Sequence, residues 1–190
     1  MLLKKSTRRK YFKELGLGEY NKENILKLQK RYFTNKSEHD GQYGRHTDIL
    51  LRHVRNVKKN CKNFKPEEFK CGCGGRYCTG YPTYLRANEC RHIQSIRDLY
   101  KRPMQITSGL RCRTFNTRLS GSSQNSRHMT GKAVDFYMAG VTDSLSGRKR
   151  LIDTIKHLPN HNWSYCNGYC SRGYTVHAPN MGAAVHTDVR

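Results

Sequence analysis

Two short segments in the C-terminal third of the chain place the strongest constraint on its fold. The first covers residues 126–135 (SRHMTGKAVD) and the second covers residues 185–189 (VHTDV). Gly131 interrupts helical structure in the first segment, and the apolar residues after it predict a strand. The second segment alternates with a period of two, so His186 and Asp188 are expected on the same face of a strand.

Three side chains of these segments form a set that suits a metal ion. They are His128, Asp135 and His186. Two imidazoles and one carboxylate can hold Zn²⁺ and leave a fourth position for water, which is the arrangement of hydrolytic zinc sites. A lone histidine is more often structural than a ligand, so the prediction of one catalytic zinc depends on the whole set.

The same residues carry a family resemblance. The spacing S-x-H-x-x-G-x-A-x-D followed by a late H-x-D resembles the zinc peptidases of the D-Ala-D-Ala carboxypeptidase and hedgehog-like class. Residues 106–111 (ITSGLR), Asn116 and the Gly121-Ser122 turn extend the similarity, which covers roughly residues 63–190. The resemblance implies that His128, Asp135 and His186 are the zinc ligands.

The chain departs from the pattern of the class at the position expected for the general base. Many members of the class carry an acid or histidine three residues before the last zinc ligand, but this chain has Ala183 there. Asp188 is the first candidate for the general base and His177 is the second. The alternative for Asp188 is that it only orients an imidazole that binds the zinc. Arg111 resembles the arginine that steadies an oxyanion or a substrate carboxylate.

The N-terminal region resembles a different kind of module. An amphipathic helix over residues 25–33 contains Gln29, and the sequence DGQYGRHT follows from Asp40. This order resembles the small helical peptidoglycan-binding module found beside many wall hydrolases. A generic helical hairpin is the alternative, because amphipathic helices and Asp-Gly turns are common.

These patterns predict an α+β fold in two parts. Residues 1–57 form a small all-α module, residues 58–63 a polar linker, and residues 64–190 a peptidase domain with a small antiparallel sheet flanked by helices. We expect strands near residues 104–110, 132–138, 173–178 and 183–189. Helices are expected over 87–100 and 148–157, and residues 165–174 are expected to form a loop or hairpin over the groove.

Eight cysteines leave several alternatives open. A second, structural zinc is one prediction, with Cys71, Cys73, Cys78 and Cys90 as its ligands. Buried or idle thiols are the alternative for all eight, and Cys166 and Cys170 are close enough in sequence to close a small loop.

The formal charge of +22, from 36 Lys and Arg against 14 Asp and Glu, predicts attraction to polyanions. No nucleic-acid recognition motif accompanies the charge, so peptidoglycan and anionic wall polymers are the expected partners of a monomer, with no specific nucleic acid. The sequence has no apolar run for a membrane span, and its basic start lacks the apolar stretch of a secretory signal. We therefore expect the protein in the host cytoplasm before release, and then at the bacterial cell wall.

Taken with the resemblance, these observations predict a zinc-dependent peptidoglycan peptidase that cuts stem-peptide or cross-link amide bonds. A phage endolysin used for host cell lysis is the preferred reading. The alternatives are a D-Ala-D-Ala carboxypeptidase of wall maintenance and a non-catalytic, zinc-containing wall-binding protein.

Overall fold

The computed structural model describes all residues from Met1 to Arg190 and has an α+β architecture. The six α-helices are α1 (Lys5–Glu14), α2 (Lys22–Tyr32), α3 (Arg45–Asn60), α4 (Ala87–Tyr100), α5 (Arg113–Thr117) and α6 (Leu145–Ile155). The five strands are β1 (Gln105–Ser108), β2 (Ala133–Tyr137), β3 (His161–Cys166), β4 (Tyr169–Cys170) and β5 (Val185–Val189). Short 3₁₀ turns cover Lys36–Glu38, Pro66–Phe69, Arg127–Thr130 and Pro179–Met181. None of the helices combines the length and the apolar character needed to cross a membrane.

The strands form one antiparallel sheet in the order β1-β2-β5-β3-β4. The last strand of the chain, β5, therefore lies in the centre, between β2 and β3. Every residue of β5 is buried. Because side chains alternate along a strand, β5 presents two sets of residues to opposite sides of the sheet.

The sheet differs in two places from the sequence prediction. Residues 173–178 form no strand, and the unpredicted strand β3 takes the position beside β5. β3 has the sequence HNWSYC, which lacks the β-branched residues that mark strands. Pairing with β5 and with β4 supplies the stability that the local strand propensity of β3 does not. Of the loop or hairpin predicted over residues 165–174, only the short β3–β4 hairpin is present.

The N-terminal helices share a core with the sheet. One continuous cluster of buried side chains extends from Phe12 in α1 to Val185 in β5. The predicted linker over residues 58–63 is instead occupied by the last turn of α3 and by the fully buried Cys61. The polar composition of this stretch misled the prediction, because one face of the helix is apolar while its lysines remain on the outer face.

Gln29 organises the turn between α2 and α3. Its side-chain amide donates hydrogen bonds to Asp40 Oδ1 at 2.8 Å, to the Gln42 carbonyl at 3.0 Å and to Thr47 Oγ1 at 3.1 Å. The Gly41 N–H donates to Gln29 Oε1 at 2.8 Å. This buried amide explains why a glutamine precedes the Asp-Gly turn, since its hydrogen bonds satisfy both the side chain and the turn backbone.

His53 joins α3 to the rest of the chain. Its ring is fully buried, with Nε2 at 2.9 Å from the Pro66 carbonyl and Nδ1 accepting from the Leu85 N–H at 3.2 Å. The ring must be neutral to make both bonds, because a protonated imidazole has no acceptor. Burial lowers the pKa of His53 to about 4.

We expect the free energy of unfolding to fall between pH 6.5 and pH 4, with His53 contributing about 3 kcal/mol of that loss. The sign follows from the lowered pKa: below pH 6.5 the unfolded chain takes up a proton on this ring, and the folded protein does so only near pH 4. Urea unfolding of the wild type and of His53→Gln across this range measures the contribution. Parallel pH profiles for the two proteins would contradict it.

Gly131 and Gly121 allow a matched test of backbone packing. Both have a positive φ, +69° and +73°, but a Cβ on Gly131 would overlap the Tyr84 carbonyl oxygen while one on Gly121 meets nothing within 4 Å. Gly121→Ala should cost about 1–2 kcal/mol of unfolding free energy through φ alone. Gly131→Ala should cost roughly 1–3 kcal/mol more, because the backbone must move. Equal urea midpoints for the two variants would disprove the close approach at Gly131.

Candidate metal centre

The centre is built on the pairing of β2 with β5. Asp135 and His186 lie directly opposite each other in the antiparallel register. Directly opposed residues on one face of a sheet have neighbouring side chains, and here His186 Nδ1 lies 2.7 Å from Asp135 Oδ1. Two residues that are 51 positions apart in the sequence thereby share one site.

His128 reaches the same point from the 3₁₀ turn that precedes β2. Its Nδ1–H donates to the Gly109 carbonyl at 2.7 Å, and this bond leaves the lone pair of Nε2 directed at the other two side chains. Nε2 lies 3.3 Å from His186 Nδ1 and 3.3 Å from Asp135 Oδ1. The turn ends at Gly131, which takes the left-handed conformation.

These three atoms suit a zinc ion in chemistry, and two of their three separations match tetrahedral coordination. Bonds of about 2.0–2.1 Å in a tetrahedral site place the ligand atoms roughly 3.3 Å apart. Two of the three separations are 3.3 Å and the third is 2.7 Å. The site is deep, since the side chains of His128, His186 and Asp135 are only 3%, 7% and 15% exposed.

The charges of the three groups are strongly linked. Burial alone would raise the pKa of Asp135, but the adjacent His128 and His186 hold it below its ordinary value. Burial alone would lower the pKa of His186, but hydrogen bonds with Asp135 and Asp188 raise it to about 9. Burial lowers the pKa of His128. The site is therefore prepared for a positive charge between two carboxylates.

Asp188 lies on the outer side of His186. Its Oδ2 is 3.3 Å from His186 Nε2, the nitrogen that points away from Asp135. Its Oδ1 accepts from Asn162 Nδ2 at 2.7 Å and lies 3.5 Å from Arg127 Nε. A carboxylate in this position orients the imidazole and makes it a stronger ligand, which favours the positioning role over that of general base.

Arg111 borders the metal centre from the β1 side. Its Nη2 lies 3.6 Å from Asp135 Oδ2 and donates to Ser108 Oγ at 3.0 Å, while Nη1 donates to Asn116 Oδ1 at 3.3 Å. Its Nε is buried without a partner. The guanidinium is therefore held beside the site by its contacts with Asp135, Ser108 and Asn116.

His177, the second candidate for the general base, lies along the same groove, which has a volume of roughly 1100 Å³. His177 is on the exposed segment that follows β4, and Ala183 lies just before β5. The His177 side chain makes no hydrogen bond to His128, Asp135 or His186. The base assignment to Asp188 or His177 stays a prediction.

Strand β3 adds an aromatic wall that the sequence did not reveal. The Tyr165 ring lies 4.6 Å from the His186 ring and the Trp163 ring lies 4.5 Å from Tyr165, measured between centroids. Both residues line the groove together with Asn162. The alternation of Trp163, Ser164 and Tyr165 was the available indication of a strand, but the polar and glycine-rich surroundings obscured it.

A second cluster of possible ligands lies away from the groove, and one member differs from the prediction. The sulfur atoms of Cys71, Cys73, Cys78 and Cys112 lie within 4.8 Å of one another. Cys90 is not among them, because it faces the main core from α4, where its carbonyl accepts from the Cys61 thiol at 3.0 Å. Spacing along the chain favoured Cys90, whereas tertiary contacts bring Cys112 to the loop.

Comparison with known proteins gives one family match. The family described as Peptidase M15 matches residues 62–157, which contain His128 and Asp135 but not His186. No curated protein and no solved structure matches the chain. The matched range covers half of the chain, and the structure adds His186 to it through the pairing of β2 and β5.

Replacing Asp188 by Asn tests its role. If Asp188 orients His186, the variant should bind zinc roughly 10- to 100-fold more weakly, and saturating zinc should restore its hydrolytic rate. If it is the base, zinc affinity should hold while kcat falls by roughly 10²-fold or more. Chelator competition and steady-state rates at saturating zinc separate the two outcomes, and His177→Ala measured in parallel tests the other candidate.

Proposed function

The chain belongs to the peptidase M15 family and is a metallopeptidase, and from that premise we propose that it is a zinc-dependent peptidoglycan peptidase. The proposed substrates are amide bonds of stem peptides or their cross-links. The convergence of His128, Asp135 and His186 at the groove is the observation that carries this proposal. Two nitrogens and one carboxylate oxygen leave a coordination position for the reaction.

The residues around the centre have different proposed roles in hydrolysis. A zinc ion held by His128, Asp135 and His186 would supply Lewis acidity for polarising a peptide carbonyl and activating water near neutral pH. Arg111, whose Nη2 lies 3.6 Å from Asp135 Oδ2, is placed to stabilise negative charge that develops on the carbonyl oxygen. Asp188 keeps His186 in the orientation that presents Nδ1.

The groove suits a peptide that carries carboxylates. Arg111, Arg127 and Arg172 lie along it, and Arg127 is still 37% exposed despite its contact with Asp188. Guanidinium groups bind carboxylates with paired hydrogen bonds. Stem peptides offer such groups, and the half-buried rings of Trp163 and Tyr165 provide an apolar surface for alanine side chains.

We further propose that the basic surface draws the enzyme to anionic wall polymers, in the manner of a phage endolysin. A net charge of +22 over 190 residues favours association with polyanions at low salt. The helices α1 to α3 are the proposed wall-binding region, on the resemblance of the Gln29 turn. In this proposal the protein waits in the host cytoplasm and acts on the cell wall after release.

Two alternatives remain tied to specific features. A D-Ala-D-Ala carboxypeptidase would use the same centre and would release only terminal alanine. A non-catalytic wall-binding protein is favoured by Ala183, which stands where many members of the class carry an acid or histidine. Both alternatives keep the zinc, so product analysis separates them from the peptidase.

Purified peptidoglycan, incubated with the zinc-loaded full-length chain, should yield new amino and carboxyl termini by mass spectrometry. The rate should fall by roughly 10³-fold or more in His186→Ala, because several kcal/mol of charge stabilisation is lost with the metal. His157→Ala, which removes an exposed histidine outside the groove, should behave as the wild type.

The identity of the released products distinguishes the peptidase from the two alternatives. Release of free D-Ala alone would identify the carboxypeptidase, and no release by a fully zinc-loaded protein would identify the non-catalytic binder. Repeating the digestion with walls stripped of teichoic acid, and at high salt, tests the charge-driven attraction, which screening should weaken.

A further inference from the structure

The four clustered cysteines come from two parts of the chain. Three lie in the irregular loop of residues 71–80, and Cys112 stands at the start of α5. Cys71, Cys73 and Cys112 form a small buried cluster that is separate from the main core. A loop without helix, strand or a sizeable apolar core needs another source of stability to offset its conformational entropy.

The geometry points to a structural zinc site, and we propose that Cys71, Cys73, Cys78 and Cys112 bind one Zn²⁺. Tetrahedral coordination by sulfur at about 2.3 Å places the sulfur atoms roughly 3.8 Å apart. The Cys73 and Cys78 sulfurs are 3.4 Å apart, and all four lie within 4.8 Å of one another. Four sulfur donors with no carboxylate among them form a closed structural set, unlike the open centre in the groove.

The backbone around the cluster is arranged for thiolates. The N–H groups of Cys112, Gly80 and Phe115 each approach a cluster sulfur at 3.4 Å, namely those of Cys71, Cys78 and Cys112 respectively. Hydrogen bonds to the sulfur atoms stabilise negative charge there and orient the ligands. Such donors are expected around metal-bound sulfur.

The loop also has the turns that close ligand spacing requires. Gly74 and Gly75 adopt positive φ values of 63° and 86°, directly after the Cys71-x-Cys73 pair. The Gly74 N–H donates to the Cys71 carbonyl, and the Cys71 N–H donates to the Gly80 carbonyl at 2.8 Å. The chain thus folds back on itself and brings Cys78 to the first two cysteines.

The proposed site fastens this loop to the segment that carries Arg111. Cys112 follows Arg111 directly, and the Leu110 N–H donates to the Phe69 carbonyl at 2.8 Å, so the two ligand-bearing segments run side by side. Gly109, whose carbonyl holds His128, leaves no room for a Cβ against the Phe69 backbone. A metal bridge between Cys71 and Cys112 would hold both ends of this contact.

Cobalt substitution of the full-length chain tests the proposal. Co²⁺ bound by thiolates gives an intense charge-transfer absorption in the near ultraviolet, which the His-Asp-His centre cannot produce. The reduced wild type and His186→Ala should both show this band, and metal analysis should find two zinc equivalents in the first and one in the second. The readout does not depend on peptidase activity, so its failure is distinct from failure of the proposed function.

Two variants compare the alternative fourth ligands. Cys112→Ser keeps a side-chain acceptor at the helix N-cap. It should nevertheless lower the metal affinity by more than roughly 10- to 100-fold, which is the loss expected when only a hydrogen-bonding partner of a metal ligand is removed. Cys90→Ala should leave the affinity and the band unchanged. The reverse result, or no band in the reduced wild type, would overturn the assignment.

A measurement on the unaltered protein covers the case in which Cys112→Ser does not fold. In the zinc-loaded wild type, the four cluster thiols should resist alkylation and become reactive after chelation, as peptide mass spectrometry can follow. Anaerobically purified protein with a Cys73–Cys78 disulfide, or with cluster thiols equally reactive before and after chelation, would also overturn the proposal.

Discussion

The pairing of β2 with β5 is the interaction on which the rest of the structure depends. It places Asp135 opposite His186, and it puts the last strand of the chain into the centre of the sheet. A shift of one residue in this register would turn His186 and Asp188 away from the groove and place these polar side chains in the core. The metal centre and the fold are therefore specified by the same set of backbone hydrogen bonds.

The opposite face of β5 shows how this register is enforced. Thr187 is fully buried behind the sheet, where its hydroxyl lies 2.9 Å from His92 Nε2 and accepts from Ser164 Oγ at 2.8 Å. Ser164 is in turn 2.9 Å from His161 Nε2. Burial lowers the pKa of His92 to about 4, so its ring is neutral at pH 7. Buried polar groups are costly without partners, and the hydrogen bonds of Thr187 to His92 and Ser164 form only when β5 is in its observed register.

The sequence predicted those features that depend on local pattern. The alternation in residues 185–189 and Gly131 before β2 both have a direct conformational meaning, and the family resemblance pointed to the three residues that the fold brings together as candidate ligands. Cys112 and strand β3 could not be found in this way. The position of Cys112 depends on the contact between Phe69 and Leu110, and β3 is defined by its neighbours β5 and β4 more than by its own residues. Spacing along a chain carries no information on such contacts.

Residues 58–63, which were predicted as a linker, instead include the end of α3 and the buried Cys61. Spacing along the chain does not reveal the tertiary contacts of α3, and these contacts change the role assigned to the N-terminal helices. Helix α3 holds both backbone groups of Leu85, since His53 Nδ1 accepts from its N–H and Asn56 Nδ2 donates to its carbonyl at 2.8 Å.

The next residue, Arg86, donates its N–H to the Gly131 carbonyl at 2.8 Å, and Gly131 closes the turn that presents His128. A continuous path of hydrogen bonds and covalent backbone thus leads from α3 to a ligand of the metal centre. The helices that resemble a wall-binding module also support the turn that carries His128. Any attraction of the N-terminal surface to the wall therefore acts on helices that share one hydrophobic core with the sheet beneath the groove.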